Sequence, residues 1–82
     1  MTRDYVLWNL REAAEALTGL IAEMEGNPEY DQGQFELELN HVYHHINTAW
    51  NARNASRDRT EACTEQDFQD WRQFPTDIDM TV

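Results

Sequence analysis

An 82-residue chain with a net charge of −10, no lysine and a single cysteine has a short list of options. It is long enough for one domain, which at this size buries only roughly 60 to 65% of the surface the unfolded chain exposes, so packing alone leaves it marginally stable. The charge repels phosphate backbones and anionic lipid, which excludes direct nucleic-acid binding and membrane docking, and the lone Cys63 excludes an internal disulfide framework and fits a reducing, cytoplasmic setting.

The first element is read from Leu7, Leu10, Ala14, Leu17, Ile21 and Met24, whose 3,4,3,4,3 spacing keeps one side of a helix apolar. Val6, Ala13 and Leu20 widen that stripe. The interior is rich in Ala, Leu and Glu, good helix formers, and Gly19 alone interrupts it. Gly26, suited to a left-handed cap, and Pro28, which lacks a backbone donor, stop the helix, giving bounds of about residues 4–25. The second start is a capping signature: Asp31 before the first turn, Gln34 three residues on, and Tyr30 and Phe35 in the staple positions. Phe35, Leu39, Val42, Ile46 and Ala49 then repeat the helical period, with Tyr43 and Trp50 beside them, so a second helix is expected over about 32–55.

Residues 56–63 lack an apolar period and read as a linker with room for a helical turn. Thr64 and Asp67 form another capping pair, with Cys63 and Phe68 placed as its staple, ahead of Phe68, Trp71 and Phe74. Pro75 closes a third helix of about 65–74, and the last residues, 76–82, read as a flexible or extended arm in which Ile78, Met80 and Val82 alternate. The expected fold is all-α: an antiparallel hairpin of two long helices plus a short third helix, in one domain over residues 1–75.

The lengths set a problem of coverage. Helices of about 21 to 23 residues extend roughly 33 Å, whereas one of about 11 extends roughly 16 Å. The short helix covers about half of the hairpin, and the rest requires the arm, a second copy or another partner, because large contiguous apolar patches are rarely left in water. A homodimer with a four-helix core is the expected solution.

Chemistry-bearing residues concentrate in the segment from Glu36 to His45. Glu38, His41 and His45 fall at i, i+3 and i+7, a spacing by which bundle helices present carboxylate and imidazole to a metal, with Glu12, Glu15 and Glu23 as further ligands. Angular position weighs against it. At about 100° per residue with Phe35 at zero, the stripe lies between about −20° and 60°, while His41 falls at about 240°, His45 at about 280° and His44 at about 180°.

The same map gathers Leu37, His41, His44, Thr48 and Ala52 on a weakly apolar second face, read either as a partner interface or as the seat of the third helix. Trp8 lies just outside the first stripe, and Trp8 and Trp71 join Leu37, His41, His44 and Thr48 as interface candidates. Arg53 and Arg57 extend the second stripe, where they suit the negative helix end or a carboxylate. Arg57 also stands in reach of Glu61 if the helix continues.

No identifiable base, orienting acid or oxyanion donor accompanies Cys63, and phosphate loops and Cys/His zinc spacing are absent, so an enzyme is not expected and no cofactor is implied. The expectation is a small acidic interaction or regulatory module, self-associating and suited to a basic protein partner. The alternatives are a metal-binding bundle built on Glu38, His41 and His45, and an acidic mimic of nucleic acid.

Overall fold

In the computed structural model, which describes residues 1–81, both long helices form where their caps and periods place them: α1 over Arg3–Gly26 and α2 over Gln32–Asn51. The chain is an all-α helical hairpin, and among the described residues there is no strand. α1 ends without a left-handed glycine; Gly26 stays helical, and Asn27 turns extended ahead of Pro28, as the residue before a proline does. At the start of α2 the Asp31 carboxylate accepts from the Gln34 amide at 2.9 Å. The Gln34 side chain turns away to donate to Glu38 at 3.0 Å, so half of the expected reciprocal box is made.

α2 stops at Asn51, short of the expected residue 55. The reason is tertiary. Thr2 donates its amide to the Arg53 carbonyl at 2.9 Å and its hydroxyl to the Ala55 carbonyl, which ties the start of α1 to the chain leaving α2. Two short helices follow, α3 over Arg57–Ala62 and α4 over Glu65–Trp71. α3 fills the segment expected as a linker: the Ser56 hydroxyl caps it by accepting from the Arg59 amide at 3.2 Å, and Cys63 closes it in the left-handed region at φ 36. α4 carries the full Thr64/Asp67 capping box. It ends at Trp71, before the expected residue 74. From there Arg72 and Gln73 give their carbonyls to Asn47 and Asn51 side chains at 2.9 and 2.7 Å, so the chain turns across α2 before it reaches Pro75.

The arm is laid down along the hairpin. Pro75 is buried, and Asp77 accepts from Trp50 Nε1 at 2.7 Å and from Arg53 at 3.2 Å. Val82, the last of the alternating residues, lies outside the described residues.

The largest departure from expectation is the rotation of the long helices about their own axes. α1 buries Asn9, Ala13 and Leu20 against α2, and α2 buries Val42, His45, Thr48 and Ala49, with Ala52 just beyond. On α1 the main expected stripe lies about a quarter turn from the seam, which takes only its widening residues Ala13 and Leu20. On α2 the expected Val42 and Ala49 are buried, Phe35, Leu39 and Trp50 are half-buried and Ile46 is exposed. Leu10, Leu17, Ile21, Met24 and Ile46 remain between 39% and 51% exposed. Two helices alone bury only a narrow line of contact, here filled by alanine, valine and a polar pair. Flanking large side chains stay open until a further layer covers them.

Candidate functional site

The polar pair in the seam joins α1 to α2 below the cover of α3 and α4. Asn9 is 1% exposed and donates through Nδ2 to the Tyr5 carbonyl at 3.1 Å, one helical turn back. A carbonyl can only accept, so this bond orients the amide and leaves Asn9 Oδ1 facing His45 Nδ1 at 2.9 Å. His45 is therefore the Nδ1–H tautomer, with Nε2 as the accepting nitrogen. Replacing Asn9 with leucine is expected to cost about 1 to 3 kcal/mol, because the buried His45 N–H loses its acceptor. Asn9→Leu combined with His45→Leu should recover most of that loss in a denaturation experiment, since both polar partners are then gone.

His44 and His41 complete a cluster with His45. The His45 ring meets His41 and His44 edge-on at 4.7 Å each, and Phe68 of α4 lies 5.2 Å from His44. Burial, then the charges of His45, Arg72 and His41, lower the His44 pKa to about 4, and burial and His41 lower that of His45 against the opposing pull of Glu12. Both rings are neutral at pH 7. Between this cluster, α1 and the two short helices lies a cavity of about 270 Å³ whose walls include Tyr5, Trp8, His44, Cys63, Phe68 and Trp71. Among the described residues no carboxylate or arginine lines it. The lining offers aromatic faces and neutral hydrogen-bonding groups rather than a charged acid–base couple.

The structure does not gather the metal set expected from spacing. Glu38 accepts from Tyr30 Oη at 3.2 Å and from Gln34 at 3.0 Å, and with the exposed His41 it borders a shallow hollow beside Gly19 and Glu23. His45 is turned to Asn9 instead. Among the described residues no group of three His, Cys, Asp or Glu side chains is arranged to hold a metal ion.

The interface candidates divide. Thr48 and Trp71 are buried by the chain's own helices, and His44 is half-buried against Phe68, so α4 takes the second face of α2. Leu37 remains 75% exposed and Trp8 53%, and His41 is exposed beside Leu37.

The arginines serve the fold. Arg53 lies 4.2 Å over the Trp50 ring and pairs with Asp77, and Arg57 reaches Asp4 at 2.9 Å rather than Glu61. Asn9, Tyr5 and Thr60 are cavity residues that the sequence did not single out. An asparagine among the helix-forming residues of α1 is a weak signal, readable only once its partner on α2 is known.

Comparison with known protein families, curated proteins and solved structures finds no match to this chain. Among the described residues no helix is long and apolar enough to cross a membrane.

Proposed function

We propose that this protein is a small interaction module that self-associates as a homodimer through the outer apolar face of its hairpin, forming a four-helix core. The observation that carries the reading is the exposure of Leu10, Leu17, Ile21 and Met24 along one side of α1, with Ile46 of α2 bordering the same groove as Leu10. Surface area supports it. The chain exposes 6046 Å², whereas a folded monomer of 9.7 kDa exposes about 5100 Å². The surplus of roughly 900 Å² is close to what one partner buries in a standard stable interface, about 800 Å².

Shape agrees as well: the radius of gyration is 14.4 Å, against about 12 Å for a compact domain of this length. The stripe residues themselves are uncharged, and Glu25, one turn beyond Ile21, is the acidic group of α1 on their side. The exposed carboxylates elsewhere, among them Glu15, Glu29 and Glu36, suit a basic protein partner on the remaining surface.

Sedimentation equilibrium tests the dimer. The wild-type chain is expected at twice its monomer mass at micromolar concentration. Leu17→Glu with Ile21→Glu should weaken association at least about 100-fold while the helical circular dichroism persists. A wild-type chain that sediments as a monomer throughout would overturn the reading.

A further inference from the structure

Two hairpins that meet face to face are related by a twofold axis running either along the helices or across them. With the axis along the helices, α1 of one copy lies on α2 of the other and both turns share one end. With the axis across them, each helix lies antiparallel on its own copy and the turns stand at opposite ends.

Charge separates the two arrangements, because it is spread unevenly along the hairpin. Residues 12–38, which hold the turn, carry eight carboxylates and no arginine, for −8, and the rest carries the other eight with all six arginines, for −2. Turns at one end would press −8 against −8. Turns at opposite ends set each acidic half beside the arginines of the other copy.

Two single residues favour the same arrangement. Arg3 stands 18 residues, or about five full turns, before Ile21, and Glu25 one turn after it, so both lie along the apolar side of α1. Both are exposed, and among the described residues neither makes an ion pair within the chain. Their own helix places them unfavourably, a cation at its positive N-terminal end and an anion at its negative C-terminal end. An antiparallel copy relieves both. Full overlap of Arg3–Gly26 with its copy puts the axis beside Ala14, whose small exposed side chain lets the backbones approach. Arg3 then meets the partner's Glu25, and Leu10 seats between the partner's Leu17 and Ile21. The groove of about 500 Å³ that Leu10 shares with Ile46, Trp50, Phe74 and Ile78 is closed by the same partner helix.

Resting on the dimer reading above, we propose that the second copy docks with α1 antiparallel on α1 about an axis at Ala14, and that two Arg3–Glu25 pairs between copies fix this orientation.

Disulfide trapping on a Cys63→Ser background and charge reversal in the wild-type chain test it. Ala14→Cys should link two copies under mild oxidation, whereas Met24→Cys should not, its copies standing about 30 Å apart at 1.5 Å per residue. In sedimentation equilibrium, Arg3→Glu and Glu25→Arg should each weaken the dimer about tenfold, and the double variant should recover wild-type affinity. Net charge alone would give the opposite result for Glu25→Arg, which brings each chain from −10 to −8. Both reversals suit the dipole at their own end of α1, so the fold persists. Should the Cys63→Ser background fail to fold, the reversals decide. A wild-type chain that sediments as a monomer overturns the dimer and this geometry with it. A stable dimer in which Ala14→Cys stays unlinked, Met24→Cys links, or the double reversal fails to restore association overturns the geometry alone.

Discussion

Acidification from pH 7 to pH 4 is expected to destabilise the fold by about 2 to 3 kcal/mol through His44 alone, with His45 adding in the same direction. The unfolded chain binds a proton on each ring near the ordinary value of 6.5, whereas burial in the native state holds His44 uncharged down to about 4. Between those values the unfolded state carries more protons than the folded one. Stability is therefore fully present above about pH 6.5 and declines as pH falls toward 4.

Between about pH 6.5 and pH 5 the carboxylates do not blur this window. Hydrogen bonds from Arg57 to Asp4, from Arg59 to Asp67 and from Trp50 to Asp77 hold those groups below their ordinary value of 3.8. Their contribution is complete above about pH 5, begins to fall as the unfolded chain protonates, and is lost as pH drops through the folded values. Urea denaturation at a series of pH values measures the slope. His44→Phe should flatten most of it and, by removing an unpartnered buried nitrogen, should leave the protein at least as stable at pH 7. An identical pH profile in the variant would show that His44 is not held neutral by the fold.

Truncation of Trp71 is expected to have an equally large effect. Its side chain is 6% exposed, meets the Tyr5 ring edge-on at 6.1 Å, and lies under the Arg59 guanidinium at 5.5 Å. Among the described residues it is the buried aromatic of α4, whereas Phe68 packs on His44 from a more exposed position. Trp71→Ala should cost about 3 to 5 kcal/mol, which is a large fraction of the roughly 5 to 10 kcal/mol a small domain has in total. The melting temperature followed by circular dichroism should fall by roughly 12 °C or more. The α3–α4 cover and the histidine cavity should loosen first, seen as early loss of slow amide exchange around Phe68 and Thr60. A loss under about 1 kcal/mol would mean that α4 rests on the hairpin without supporting it.

Much of the secondary structure was legible because its signals are local. Asp31 and Thr64 are cap residues whose side chains accept from amides three residues on, and both do so. Pro28 ends α1 through its own backbone chemistry. α3 was hidden because six residues carry too little apolar pattern to show a period, although Ser56 already had the chemistry of a cap. The early end of α2 could not be read at all. It depends on Thr2, more than 50 residues away in the chain, reaching the Arg53 and Ala55 carbonyls.

For the cavity, the histidines were visible as a cluster, but their angular placement was measured from the wrong reference. Taking the largest apolar side chains as the inward face put His45 at the edge and His44 outside. The structure turns α2 so that His45 is buried in the seam and His44 sits beneath Phe68.

The sequence by itself determined that two long amphipathic helices and a capped short one would form, and that the two would run antiparallel, since periods, caps and breakers act within a few residues. Which side of each helix meets the other was decided only by the tertiary structure. Small side chains at Ala13, Ala49 and Ala52 and the Asn9–His45 hydrogen bond make a closer seam than the leucines would. A period fixes which residues share a face, whereas what that face touches depends on every other layer available to cover it.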